Sequence, residues 1–82
     1  MPTVLLINGY RIGFFSGDRT EPPHVHVSKS GNGAKFWLAP LRLAENDGFR
    51  RHELGGIHET LKQHQEKLLN EWNRYFGQNP GH

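Results

Sequence analysis

The stretch Pro22-Pro23-His24-Val25-His26-Val27-Ser28-Lys29-Ser30-Gly31-Asn32-Gly33-Ala34-Lys35-Phe36-Trp37-Leu38 decides the architecture of this chain. Alternating apolar and polar residues flank Ser30-Gly31-Asn32-Gly33, a segment rich in residues that tolerate positive φ, so the whole reads as a β-hairpin. Closure at Gly31-Asn32 sets Val27 opposite Phe36 and Val25 opposite Leu38. On the other face the same register sets His26 opposite Trp37 and Ser28 opposite Lys35. Every Val, Phe and Leu of the stretch thus falls on one side. His24 and His26 share the opposite face with Lys35 and Trp37.

Upstream, Asn8-Gly9 lies between two apolar runs and favours the type I′ turn of a second hairpin, with strands at residues 3–7 and 10–15. Two-residue closure places Ile7 opposite Tyr10 and Leu5 opposite Ile12, on one face with Phe14; Val4, Leu6 and Phe15 take the other, so both faces expect partial cover. Ser16 to Pro23 is a loop by composition, and its two prolines bring the chain extended into the following strand. Residues 40–49 read in two ways: Leu41 and Leu43 alternate as in an edge strand, while Pro40 suits the opening of a helical turn. The fifth strand is preferred.

From about Arg51 to Phe76, Leu54, Ile57, Leu61, Leu68, Leu69, Trp72, Tyr75 and Phe76 follow helical spacing, with His64 on the same stripe. The expectation is an α+β fold: an antiparallel sheet of two β-hairpins, four to five strands, with one long C-terminal amphipathic helix packed on one face. Gly55-Gly56 is the expected place for any kink. Residues 1–76 form a single domain in this reading, and 77–82 a disordered tail.

Eighty-two residues support one thin core and no deep substrate chamber. The chain has no cysteine, which excludes disulfides, thiolate–zinc and iron–sulfur sites and cysteine nucleophiles. Its opening apolar run ends at Asn8-Gly9, short of a signal or transmembrane length. A cytosolic protein without membrane contact is expected. Net charge is +2, and basic and acidic side chains are spread evenly over both halves, so charge permits nucleic-acid contact without arguing for it. No phosphate-binding glycine loop, serine nucleophile elbow or dinucleotide fingerprint is present.

Three constellations carry candidate chemistry. His24 and His26 alternate on one strand face with Cα atoms about 6.5 Å apart, a spacing that suits two ligands of one metal. A third ligand would have to come from His52, His58, His64 or a carboxylate, and none forms a metal motif with the pair, so an ordinary polar face is the plainer reading and no metal or cofactor is expected. Metal-independent RNA cleavage needs a base that changes charge near neutral pH, an acid and a cation. His24, His26 and Lys35 are the catalytic candidates, with Arg42 as a further cation and Trp37 to stack a base; the plainer reading makes Trp37 a cross-strand neighbour of His26.

Arg50-Arg51-His52 sets positive charge against the positive end of the helix dipole. Arg50 and Arg51 are candidate phosphate or partner contacts, or simply a solvated surface. Trp72 and Tyr75 either anchor helix to sheet or, where a helix of roughly 39 Å overhangs strands of about 17–20 Å, form a partner surface.

Taken together, Met1-Pro2-Thr3-Val4, Asn8-Gly9-Tyr10-Arg11, Pro22-Pro23-His24-Val25-His26-Val27, Ala34-Lys35-Phe36-Trp37-Leu38 and Glu71-Trp72-Asn73-Arg74-Tyr75-Phe76 resemble the bacterial family known as domain of unknown function 4160. The Pro-Pro-His-Val-His segment and its spacing from Ala-Lys-Phe-Trp-Leu are the specific part. The resemblance implies a member of a small two-gene operon, of the kind proposed as type II toxin–antitoxin modules. It therefore implies a protein partner encoded nearby, or a homodimer, and an RNA-directed activity as the alternative. It marks His24, His26, Lys35 and Trp37 without assigning them roles. In one respect the chain departs from the family pattern: Arg50 stands where a capping Ser is usual, although Glu53 three residues later is kept.

Overall fold

Asn8 and Gly9 both take positive φ, 52° and 82°, the condition of a type I′ turn whose twist matches its strands. This turn joins β1 (Thr3–Ile7) to β2 (Tyr10–Gly13) with Leu5 opposite Ile12 and Ile7 opposite Tyr10, as expected. The structure, a computed structural model, describes residues 3–15 and 20–76. The tail expected at 77–82 lies outside the described residues.

The second hairpin, β3 (His24–Lys29) and β4 (Asn32–Leu38), closes one step earlier than the expected Gly31-Asn32. Ser30 and Gly31 are the two turn residues, at φ 51° and 84°. The partners therefore shift by two: Val25 faces Phe36, His24 faces Trp37 and His26 faces Lys35. A shift of two preserves parity, so no side chain changes face. Val25, Val27, Phe36 and Leu38 are all buried.

The ambiguous segment after Pro40 is a strand, β5 (Leu41–Asp47), and the sheet runs β1-β2-β3-β4-β5, antiparallel throughout, with β1 and β5 as its edges. A corner then leads into the helices. Asn46 Nδ2 donates to the Phe49 carbonyl at 2.9 Å, and the Phe49 N–H donates back to Asn46 Oδ1 at 3.1 Å. Phe49 itself is buried beside Tyr10, ring centroids 5.9 Å apart.

The single long helix of the sequence reading is two: α1 (Arg51–Gln63) and α2 (Gln65–Tyr75), broken at His64 rather than at Gly55-Gly56. The His64 N–H bonds the Leu61 carbonyl at 3.1 Å, and its ring Nδ1–H donates to the Thr60 carbonyl at 2.9 Å. The side chain thus takes over the partner that the helical backbone gives up. Gln65 Nε2 then donates to the Leu38 carbonyl, tying the start of α2 to the end of β4. Ile57, Leu61, Leu68 and Trp72 share one core with Ile12, Phe14, Val25, Val27, Phe36 and Leu38. At the start of α1, the Arg50 N–H donates to Glu53 Oε1 at 2.9 Å, so the acidic half of a capping box forms without the serine.

Two glycines separate backbone need from open space. Gly48 sits at φ 105°, and a Cβ there would lie 2.3 Å from Asn32 Oδ1. Gly56 is helical with nothing within 4 Å of the same position. Urea denaturation of Gly48→Ala is expected to show a loss of about 1–3 kcal/mol. Gly56→Ala should gain roughly 0.5–1 kcal/mol.

Candidate functional site

Glu21, Pro22 and Pro23 form bends ahead of β3 rather than the extended entry expected from the two prolines, and the Leu38 N–H reaches back to the Pro23 carbonyl at 3.0 Å. This places His24 at the end of the sheet. Its ring is 0% exposed and packs among Trp37, His26 and Trp72, with centroids at 5.5, 5.1 and 5.1 Å. Nδ1–H donates to the Pro22 carbonyl at 2.8 Å, which puts a proton on that nitrogen. Nε2 lies 3.7 Å from Glu21 Oε1.

The same Glu21 oxygen accepts from Lys35 Nζ at 2.7 Å, and the ammonium also stands over the Trp37 ring, 4.7 Å from its centroid. Lys35 is 12% exposed and Glu21 44%. Glu21, a loop residue that the sequence reading did not single out, thus ties the loop to Lys35 and brings its carboxylate near the His24 ring. Because Glu21 is half in solvent, its ion pair with Lys35 stabilises by no more than about 1 kcal/mol. The buried imidazole contributes more, through packing and its bond to Pro22.

His26 is the accessible histidine of the pair. It is half-buried, with Phe15 edge-on at 4.5 Å. Strand β2 ends at Gly13 instead of continuing to residue 15, yet Phe14 is in the core, as its face predicts, and Phe15 stays 46% exposed. A groove of about 340 Å³ opens beside His26. Phe15, His26 and Lys35 line it together with Glu45 and Asp47. The two carboxylates make no ion pair among the described residues.

The remaining candidates do not gather here as one set. Arg42 stands on β5 opposite Trp37, exposed. Arg50 and Arg51 are exposed at the start of α1. Trp72 is buried, edge-on to Phe14 at 5.3 Å, and Tyr75 is the exposed member of the aromatic end. Of the two aromatic residues weighed as anchor or partner surface, Trp72 belongs to the core and Tyr75 stays exposed, and the stripe that carries them is broken at His64. Among the described residues no group of three His, Cys, Asp or Glu side chains converges to hold a metal. No helix among them is long and apolar enough to cross a membrane.

The geometry assigns different weights to the two histidines. His24→Ala removes a fully buried ring and its bond to Pro22, and should cost about 2–4 kcal/mol in urea denaturation. His26→Ala should cost about 1 kcal/mol or less.

Comparison with curated proteins and with solved structures finds no match. Over residues 9–73, from the first turn through most of α2, the chain matches the model of the family described as Domain of unknown function (DUF4160), and it belongs to that family.

Proposed function

We propose that this chain is a small cytosolic interaction domain, one half of a two-gene toxin–antitoxin-like pair, and that it binds its protein partner along β1 and the adjoining outer face of the sheet. The observation that carries this reading is the β1 edge. Val4, Leu5, Leu6 and Ile7 make an apolar strand with no charged side chain and, among the described residues, no strand on its outer side. Leu6 is 67% exposed on the same face as Arg11 and Ser28. Sheet edges are ordinarily blunted by charge, proline or cover. A bare apolar edge suits an added strand, with main-chain hydrogen bonds for affinity and alternate side chains for specificity. Phe15 extends the apolar surface on this side. Of the helical stripe, the other surface considered from sequence, Trp72 lies in the core and Tyr75 alone of the two candidates is exposed.

Ribonuclease action through His24, His26 and Lys35 is the alternative, and the geometry lends it less support. His24 is enclosed on all sides, Lys35 is already neutralised by Glu21, and the groove beside His26 is flanked by Glu45 and Asp47, which repel phosphate.

Co-expression with the product of the adjoining gene, followed by size-exclusion chromatography, tests the proposal. The two proteins are expected to co-elute, and Leu6→Lys should abolish co-elution while leaving the circular dichroism unchanged. Separate elution of the wild-type proteins would overturn it. RNA cleavage by the purified wild type that disappears in His26→Ala would establish the alternative instead.

A further inference from the structure

The second edge of the sheet, β5, differs from β1 in being charged, and the pattern of its charges is self-complementary. Lys35 pairs with Glu45 and Phe36 with Leu43, so β5 carries one extra residue, Ala44, at this point. The consequence is a change of parity. Arg42 stands opposite Trp37 and Glu45 opposite Lys35, and because Trp37 and Lys35 share the outer face, Arg42 and Glu45 share it too, although they are three residues apart. Both are exposed, and neither makes an ion pair among the described residues.

We propose that two copies of this chain join edge to edge through β5, antiparallel about a two-fold axis between Leu43 and Ala44. In that register Arg42 faces Glu45 of the second copy and Glu45 faces its Arg42, giving two cross-strand ion pairs on one continuous outer face. Leu43, 40% exposed in the single chain, meets Ala44 of the second copy, and Leu41 meets Asn46. The extra residue of each strand lies beside the extra residue of the other, so the irregular spacing of β5 matches itself. A regular strand of another protein would not match it. The β1 edge carries no ionisable side chain with which to set such a register. The interface is separate from the partner surface proposed above, and the isolated chain suffices to test it.

Sedimentation equilibrium of the purified full chain over a wide concentration range reads the outcome directly. The wild type is expected to be a dimer. Arg42→Glu and Glu45→Arg each turn both ion pairs into like-charge pairs, and each should raise the dissociation constant by roughly tenfold or more. The double variant Arg42→Glu/Glu45→Arg restores both pairs with reversed polarity and should return the constant to near the wild-type value. A wild type that stays monomeric, a dimer indifferent to the single changes, or a double variant no tighter than the singles would each overturn the proposal. Circular dichroism of all three variants confirms that these exposed substitutions leave the fold in place.

Discussion

The alternation of Val25, Val27, Phe36 and Leu38 to one side of the β3–β4 hairpin is the constraint on which the rest of the molecule depends. These residues provide the centre of the sheet's apolar face, and the stripe of α1 and α2 has its core partners there. Because strand periodicity is two, that burial leaves His26, Ser28, Lys35 and Trp37 to the other face. Core and candidate surface are therefore two aspects of one pattern. A one-residue slip would exchange them, burying Lys35 without a partner and exposing Phe36.

His24 obeys the alternation yet escapes its consequence. It lies at the end of β3, where Trp72 of α2 touches both Phe14 and the imidazole. A polar-face residue thereby becomes a packed one, and its bond to Pro22 fixes the path of the chain into the sheet. Glu21 reinforces this corner through Lys35. Residue types that suit acid–base chemistry here also attach a loop to a sheet end.

The two edges present different chemistry. β1 is apolar and uncharged; β5 carries opposite charges in a spacing set by its own extra residue. The linear order of strands leaves β1 and β5 as the two edges of the sheet among the described residues.

Local physics determined much of this from the sequence alone. Asn8-Gly9 specified its turn and register because two residues at positive φ are required there; the alternation around Val25 and Phe36 specified which side is core; and the helical spacing after Arg51 specified the stripe that supplies Ile57, Leu61, Leu68 and Trp72 to the core, though not that Tyr75 at its end stays exposed. The shift of the second turn to Ser30-Gly31 was not legible, since a register offset of two leaves every face unchanged and both dipeptides contain a glycine. The break at His64 was hidden because the apolar stripe runs through it without loss of phase, and the imidazole bond to the Thr60 carbonyl that accompanies it leaves no mark in that spacing. The burial of His24, the reach of Glu21 across fourteen residues to Lys35 and the shared face of Arg42 and Glu45 were decided only by tertiary structure. Each depends on which distant groups meet at a sheet end or across a strand pair, and spacing along one chain carries no record of that.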